Sequence, residues 1–420
     1  MPCGNHRFLI CKCNKLNINR AFSNGYNMTT GIRAKRSSSI AEFIHAAQEI
    51  SAGALREAAA TDSTSSFPAE TFAELASAGI LQAVFPTKYA GCGLGTEYKT
   101  TVQLLTLLKT LGYGNLVVGR IFEGHFNAAQ LVCEYGTEQQ IETFSTDAFR
   151  ENHLFGVWNT EAGDGVKIIP TEKGKFRLEG AKTFASGVGF VNRPIVAGRL
   201  PEGGGWQMFV APMDRIETKI DDSWWKPIGM QSSRSFRVDF TGVEITENEL
   251  IGKPDDYYRQ PFFGGGAIRF AAVQLGAAEL LFDLTREFLR ELRRTDDAFQ
   301  QARLGEMAIA VETGNLLLEK AARIFDEYLI DKNPSKTAKI LNYAGIFRTA
   351  IEQICQDVII LAERSIGSRG LMKPYHFERV IRDLKMYLRQ AAPDATLTGI
   401  GKYVLENEIS SSKLWRDENE

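Results

Sequence analysis

The residues that most often carry metal or nucleophilic chemistry show no productive spacing in this chain of 420 residues. The histidines lie far apart, at His6, His45, His125, His153 and His376. Cys11-Lys12-Cys13 supplies two thiols without the remaining ligands that a tetrahedral metal site needs. The six cysteines do not form a disulfide framework. We therefore predict no metal site and a reducing compartment.

Motifs for phosphate binding and for acyl transfer are also missing. The chain has no GxxxxGK[ST] segment, no GxSxG elbow and no strand–GxGxxG–helix unit, so P-loop and Rossmann sites are unsupported. Gly264-Gly265-Gly266 precedes a helical pattern, but no strand pattern leads into it, which favours a flexible helix entry. No pattern recommends a Ser-His-Asp hydrolase.

Composition narrows the partners. Lys and Arg total 49 against 51 Asp and Glu, a net charge of −2, which gives no electrostatic reason to expect nucleic acid or an anionic membrane surface. No segment approaches the ~20 apolar residues that cross a bilayer. Hydrophobic residues make up 44% of the chain, which is typical of a globular protein. We expect small-molecule partners.

The elements that would position a site fall into three consecutive blocks. Residues 38–152 have helical periodicity, residues 153–260 alternate with the period of strands, and residues 261–412 return to long helical patterns. Residues 413–420 read as a tail. Phe236, Val238 and Phe240 illustrate the strand pattern. Leu281, Leu284, Phe288 and Leu292 illustrate the seam of a helix bundle.

Residues 1–37 are basic and lack acidic residues. They read either as a disordered leader ahead of a true start at Met28 or as an organelle transit peptide. We favour the first, because no amphipathic helix pattern forms there. The expected location is then cytoplasmic, with the mitochondrial matrix as the alternative if the segment is a transit peptide.

Four local signatures, in this order and within the helical–β–helical layout, resemble the acyl-CoA dehydrogenase superfamily of FAD flavoproteins over residues 38–410. They are Ala78-Gly79-Ile80 with Val84-Phe85-Pro86 and Tyr89-Ala90-Gly91-Cys92-Gly93; Val157–Gly165; Leu178–Gly187; and Gly229–Ser233 with Val238–Val243 and Ile251-Gly252. The resemblance implies an α+β fold with an N-terminal helical domain, a central β domain and a C-terminal four-helix bundle.

The same resemblance implies where FAD would lie, between the β domain and the bundle. It assigns Trp158, Asn159 and Thr160 to the pyrimidine edge of the flavin, Phe184 to stacking on the ring, and Ser186 to a hydrogen bond near the reactive nitrogen. Arg293 or Arg294, of which we take Arg294, matches the cation that meets the FAD pyrophosphate of a neighbouring subunit, although the family's R-x-x-F-G motif is not kept and a solvated helix end is the alternative. The shared site implies a homodimer or homotetramer. The alternative is that Trp158 and Phe184 are core and that Thr160 and Ser186 are turn residues.

The catalytic base of the family is not found. Dehydrogenation of a saturated acyl-CoA needs a carboxylate for the α-proton, which in most members follows an Arg-Asp pair at a fixed offset. Arg382-Asp383 is present, but the offset falls near Ala391. The family's other position, before an Arg, holds Ile268. Asp394 is close to the first position and is a candidate, although we favour a role as the cap of a helix beginning near Ala395.

Three functions remain open. The first expectation is an FAD-dependent dehydrogenase that acts on the CH–CH group of an acyl thioester with a non-standard base and passes electrons to an acceptor. The second is a flavin-dependent monooxygenase of the same fold, which needs no such Glu and receives reduced flavin from a separate reductase. The third is a catalytically silent protein that binds flavin or CoA.

Overall fold

The computed structural model describes residues 39–389 and 392–416, apart from the side chain of Asp164. The predicted leader over residues 1–37, the base position near Ala391 and the end of the predicted tail lie outside the described residues. Of that tail, Leu414 is buried and the ring of Trp415 lies 5.3 Å from that of Tyr403. The C-terminal described segment therefore packs against the helices.

The chain begins with helices that carry their own start signals. Ser39 and Glu42 form a capping box at the first helix, in which each side chain accepts a hydrogen bond from the other residue's backbone N–H. Asn115 caps another helix by accepting from the backbone N–H of Val117 at 2.9 Å. These N-terminal helices are α1 (Ile40–Thr64), α2 (Ala69–Ser77), α3 (Thr101–Gly114), α4 (Leu116–Tyr135) and α5 (Glu138–Arg150).

The strands of the middle block form one sheet. They are β1 (Leu154–Val157), β2 (Thr160–Glu172), β3 (Lys175–Ala185), β4 (Val191–Arg199), β5 (Trp206–Val210), β6 (Lys219–Asp221), β7 (Phe236–Asp239), β8 (Glu244–Thr246) and β9 (Leu250–Ile251). The sheet order is β6-β7-β3-β2-β4-β5-β9, with β1 beside β4 and β8 beside β3. β1 and β2 each run parallel to β4, and the other pairs are antiparallel.

The C-terminal helices begin after the glycine turn Gly264–Gly266, which is a short 3-10 turn. They are α6 (Ala267–Glu291), α7 (Ala298–Ile330), α8 (Pro334–Gly370), α9 (Phe377–Tyr387) and α10 (Pro393–Glu406). α6, α7 and α8 pack on one another, α9 packs on α6 and α8, and α10 lies on α8. The predicted order of N-terminal helices, central sheet and C-terminal helical domain is confirmed.

The three blocks share one hydrophobic core. α3 packs on α1, α4 and α6, and α4 packs on β1. Buried side chains from all three blocks are in continuous contact. The end of β1 is thereby held next to the start of α6, which places the sheet residues singled out by sequence beside the helical domain.

The Arg382-Asp383 pair fixes a loop of the β domain to α9. The Asp383 carboxylate accepts from the backbone N–H of Met230 at 2.5 Å, and Arg382 donates to the carbonyl of Ile228 at 2.8 Å and to Asp62 on α1 at 2.8 Å. Burial raises the pKa of Asp383 to about 6, and the nearby Arg379 opposes that shift. In this chain the pair holds elements together.

Among the described residues, no helix combines the length and apolar character that a membrane-spanning segment needs. In the same part of the chain, no group of three or more His, Cys, Asp and Glu side chains is arranged to hold a metal ion.

Candidate functional site

The two sequence segments predicted to form the site meet at one end of the sheet. β2 and β3 are antiparallel, and Thr160 pairs with Thr183. The Thr183 hydroxyl donates to the carbonyl of Glu161 at 3.1 Å. This register brings residues 158–160 and 184–186 side by side, although 26 positions separate Trp158 from Phe184 in sequence.

Trp158 is buried beside this end of the sheet and forms hydrogen bonds that hold it in place. Its side chain is 1% exposed. The indole N–H donates to the carbonyl of Ser186 at 2.9 Å, and the backbone N–H donates to the carbonyl of Ile195 at 2.9 Å. Trp158 is therefore a core residue, as the structural alternative held, and it also holds the backbone of Ser186 in place.

Ser186 ends a short chain of hydroxyl groups. Its hydroxyl lies 2.8 Å from that of Ser235, which lies 2.7 Å from that of Ser233. A hydroxyl can donate one hydrogen bond and accept two. Ser186 thus keeps hydrogen-bonding capacity for a ligand at the half-buried end of the chain.

Phe184 presents an open aromatic surface. Its side chain is 44% exposed, and its backbone has a φ of 52°, a left-handed conformation that is uncommon for a bulky residue. Its ring packs edge-to-face against Trp224, with the centroids 4.9 Å apart, and lies 5.9 Å from the ring of Trp225. Strained backbone of this kind is often found at ligand sites.

Asn159 carries an unsatisfied acceptor. Its Oδ1 is buried and has no hydrogen-bond partner among the described residues. Its Nδ2 lies 3.5 Å from the hydroxyl of Tyr258, and its side chain is also within hydrogen-bonding range of Tyr257. A buried unpaired acceptor is costly unless a ligand supplies a donor. The side chain of Thr160 is exposed beside it.

A cavity of about 890 Å³ lies between α4, the end of β1, the segment 257–266 and helices α6, α8 and α10. None of the predicted residues Trp158, Asn159, Thr160, Phe184 and Ser186 lines it, although Tyr257, which is within hydrogen-bonding range of Asn159, does. Val157, immediately before Trp158, lies in its wall. The apolar lining includes Leu131, Phe262, Phe263, Phe270, Leu341 and Ile400. Glu123, Arg269 and Arg348 are the charged side chains among the described residues that line it.

The acidic member of that set, Glu123, is hydrogen-bonded through both of its oxygens. One carboxylate oxygen of Glu123 accepts from Arg120 at 2.6 Å, and the other accepts from the side-chain amide of Asn127. The Asn127 carbonyl in turn accepts from Nε of Arg269. Helix spacing explains the arrangement, because residues 120, 123 and 127 lie on one face of α4.

Arg269 is a buried cation in the cavity wall. It is 3% exposed. Burial lowers the pKa of its guanidinium to about 10, and Glu123 partly offsets this shift. Burial likewise raises the pKa of the neighbouring Tyr257 above its usual range. Both groups titrate outside the neutral range, with Arg269 charged and Tyr257 protonated.

The position before Arg269 is apolar, since Ile268 is a buried core residue of α6. Asp394 lies in the first turn of α10, where it is exposed, and it is not among the residues that line the cavity. The predicted capping role of Asp394 is wrong: α10 begins at Pro393 with Ala392 as its N-cap, because proline takes the first helical position, where no N–H is needed.

Arg294 is not brought to the sheet end within this chain. It follows α6, is exposed, and its guanidinium lies 3.8 Å from the Asp297 carboxylate. The prediction that it meets a cofactor of a neighbouring subunit stays a prediction.

Glu123, Asn127 and Tyr257 were missed by sequence reasoning. The available signal was the spacing of the polar residues 120, 123 and 127, which places them on one face of a largely apolar helix. Arg269 was noticed only as the neighbour of an empty position.

Comparisons with known proteins agree with this architecture. The family model "Acyl-CoA dehydrogenase, N-terminal domain" matches residues 39–151, and "Acyl-CoA dehydrogenase, C-terminal domain" matches residues 268–391. Dibenzothiophene monooxygenase of Rhodococcus erythropolis is 24% identical over 370 residues, covering 80% of this chain and 86% of that protein.

Two solved structures show the same fold. The dibenzothiophene monooxygenase TdsC from Paenibacillus sp. A11-2, in complex with FMN and indole, has a TM-score of 0.80 at 18% identity and covers 89% of this chain and 99% of its own. Butyryl-CoA dehydrogenase from Megasphaera elsdenii has a TM-score of 0.74 at 20% identity and covers 90% of this chain and 100% of its own. With both family domains matched and the helix–sheet–helix order observed, this chain belongs to the acyl-CoA dehydrogenase superfamily of flavoenzymes.

Proposed function

We propose that this protein is a flavin-dependent monooxygenase that takes reduced flavin from a separate reductase and adds one oxygen atom to a small molecule with an apolar body in the 890 Å³ cavity. One observation carries the proposal: among the described residues, the cavity wall has no carboxylate free to act as a base.

Acyl-CoA dehydrogenation depends on such a carboxylate. Glu123 lines the cavity, but each of its oxygens already accepts a hydrogen bond, one from the Arg120 guanidinium and one from the Asn127 amide. Ile268 has no titratable group. Oxygen insertion needs no α-proton acceptor, so the observed lining is compatible with it.

The residues at the sheet end fit a flavin. The buried Oδ1 of Asn159 has no partner among the described residues and would accept from the ring's pyrimidine N–H. Phe184 would stack on the ring, and Ser186 would bond to its polar edge. Reduced flavin supplies two electrons, so that one atom of O₂ enters the substrate, the other leaves as water, and the flavin is left oxidised.

The relatives support the same choice. Dibenzothiophene monooxygenase of Rhodococcus erythropolis and the FMN-bound TdsC are oxygenases by name. Acyl-CoA dehydrogenation, our first expectation from sequence, becomes the second candidate. It is kept because the fold is similar to that of butyryl-CoA dehydrogenase. The FMN bound in TdsC favours FMN over the predicted FAD as the flavin of this protein.

Two titrations test the proposal. Butyryl-CoA added to the oxidised flavoprotein without oxygen should leave the flavin absorbance unchanged, whereas a dehydrogenase would bleach it. Reduced FMN added with oxygen and aromatic compounds of the size of indole, both neutral ones such as indole itself and ones that carry a carboxylate, should give an oxygenated product from at least one of them, which mass spectrometry detects.

A measurement that needs no substrate completes the test. A monooxygenase supplied by a reductase should bind reduced FMN more tightly than oxidised FMN, as judged by equilibrium dialysis without oxygen. Bleaching by butyryl-CoA, together with equal affinity for the two flavin states, would overturn the proposal in favour of a dehydrogenase.

A further inference from the structure

The cavity wall contains a buried positive charge that the described protein groups do not neutralise. Arg269 is 3% exposed. Its Nε donates to Asn127, and its guanidinium lies 6.0 Å from the ring of Phe126. Among the described residues, no carboxylate lies within ion-pairing distance of it. The nearby carboxylate, Glu123, is already paired with Arg120.

This arrangement is costly without a ligand. Removing a cation from water is unfavourable unless an opposite charge or a full set of hydrogen bonds replaces the water. Asn127 satisfies Nε alone and leaves both terminal nitrogens of the guanidinium for other acceptors. The local sum of Arg120, Glu123 and Arg269 is one positive charge.

The backbone makes room for the guanidinium. A Cβ placed on Gly266 would lie 2.8 Å from Nη2 of Arg269, which is closer than real Cβ atoms approach another heavy atom. Gly266 therefore lets Arg269 fold against the glycine turn at the cavity wall. Arg348, on the α8 side of the same cavity, adds a second cation, and it donates to the Thr396 hydroxyl at 3.1 Å.

We propose that the substrate of this cavity carries a carboxylate on an apolar, aromatic-sized body, and that Arg269 binds the carboxylate through its two terminal nitrogens. This deepens the proposed function, on which it rests, by naming the substrate class. A carboxylate accepts two parallel hydrogen bonds from a guanidinium. The apolar walls, with Phe262, Phe263 and Phe270, take up the rest of the molecule.

The test compares two ligands of the same shape and different charge. The flavin-loaded protein is titrated by calorimetry with 2-naphthoate and with the neutral 2-naphthamide. The wild-type protein should bind the carboxylate at least about tenfold more tightly, as expected for a charged hydrogen-bonded pair in a dry site. Equal affinities would overturn the proposal without any variant.

Substitutions then test which side chain binds the carboxylate. Arg269→Gln should bring the two affinities within about a factor of two, while Arg269→Lys should retain part of the preference because it keeps the charge. Arg286 is the matched control, because it is a half-exposed arginine of the same helix that does not line the cavity. Arg286→Gln should keep the full preference for the carboxylate. A preference that survives Arg269→Gln, or that Arg348→Gln alone removes, would show that Arg269 does not bind the carboxylate.

Two further results distinguish substrate binding by Arg269 from cofactor binding, and this inference from the proposed function. If naphthoate releases the flavin into solution, or if Arg269→Gln weakens flavin binding and leaves the naphthoate preference intact, then Arg269 serves the cofactor and the inference fails. If the preference depends on Arg269 but no oxygenated product forms from reduced flavin, the inference stands and the proposed function fails.

Discussion

Trp158 stabilises the sheet end through its indole N–H and not through an open ring face. By bonding to the carbonyl of Ser186 it fixes the backbone beside Phe184, whose ring remains exposed. A buried residue thus positions two that can touch a ligand. The unpaired Oδ1 of Asn159 completes a surface with one aromatic face and separate polar atoms along its edge.

Replacing Ser186 with alanine tests this surface. The variant loses a hydroxyl that can bond to the flavin, and we expect the flavin to bind about fivefold more weakly, which corresponds to ~1 kcal/mol. Fluorescence titration of the apoprotein with FMN measures the change. Thr160→Ala should have an effect of the same direction and size.

A matched serine provides the control for that experiment. Ser365 is also buried, but its hydroxyl bonds to the carbonyl of Leu361 within α8. Ser365→Ala should leave the flavin affinity unchanged. Unchanged affinity in both Ser186→Ala and Thr160→Ala would mean that the flavin does not bind at this end of the sheet.

At the scale of elements, the loop around Gly229 decides how the sheet meets α9. A Cβ on Gly229 would lie 2.3 Å from the backbone carbonyl oxygen of Arg382, and neither backbone can move independently because Asp383 and Arg382 bond to the same loop. We expect Gly229→Ala to reduce the free energy of unfolding by about 1–3 kcal/mol, as overpacking does.

Denaturant unfolding measures that loss. Gly401 in α10 is the comparison, because a Cβ there has no neighbour within 4 Å among the described residues. Gly401→Ala should raise the free energy of unfolding by ~0.5–1 kcal/mol through helix propensity. Equal effects of the two substitutions would show that the loop does not pack tightly on α9.

His125 joins α4 to β1 and makes stability depend on pH. Its Nε2 lies 2.7 Å from the carbonyl of Leu81, and its Nδ1 accepts from the backbone N–H of Phe155 at 3.0 Å. These bonds require the neutral ring with the proton on Nε2. Burial lowers the pKa of His125 to about 4, below its ordinary value of 6.5.

The direction of this pH dependence follows from whether the folded or the unfolded chain binds the proton on His125. Between pH 6.5 and 4 the unfolded chain protonates His125 and the folded chain does not, so the free energy of unfolding falls as the pH falls. The contribution is complete above pH 6.5, and up to about 3 kcal/mol is lost by pH 4. Urea unfolding at a series of pH values measures it.

His125→Gln should flatten this part of the pH dependence. The substitution His45→Gln, at an exposed position on α1, should leave it unchanged. His376 also has a pKa lowered to about 4 by burial and by Arg379, and it remains in both variants, so the difference between them isolates His125. Parallel profiles for wild type and His125→Gln would contradict the assignment.

For the whole molecule, local sequence signals were sufficient for the architecture. The change from helical to alternating periodicity near residue 153 and back near residue 261 predicts the order of blocks that the structure confirms. Such periodicity reports which side of an element is buried. It carries no information about which elements meet, so the packing of α3 on α6 and the sharing of one core emerge only from the structure.

That residues 158–160 and 184–186 are neighbours was predictable from sequence, because they lie at the ends of the paired strands β2 and β3. That they bind a flavin stays a prediction. Glu123 and Arg269 are 146 positions apart in sequence and lie on different helices, and a charged residue in a largely apolar helix does not indicate its partner. Asp394 was misassigned as a cap because Pro393 begins α10 one residue earlier.

An unpartnered helix face bears on the predicted oligomer. On α7, Ile309 is 71% exposed and Leu316, seven residues later, is 60% exposed, so the two lie on one side of the helix. Exposed apolar side chains that share one helix face are available for a contact between subunits. We expect the protein to form a homodimer or homotetramer that covers this face of α7.

Replacing both residues with lysine tests the oligomer, because desolvating two charges at a subunit contact is unfavourable. Light scattering during gel filtration should give the wild-type protein a mass that is a multiple of the 46.7 kDa chain, and the double variant a smaller mass. Met372→Lys, at an exposed residue in the turn after α8, should retain the wild-type mass.

The same double variant tests the shared cofactor site. Because Arg294 precedes α7 and is expected to reach a neighbouring subunit's cofactor, dissociation should weaken the binding of FAD more than the binding of FMN. A wild-type protein that elutes as a single 46.7 kDa chain and holds flavin would refute the shared site.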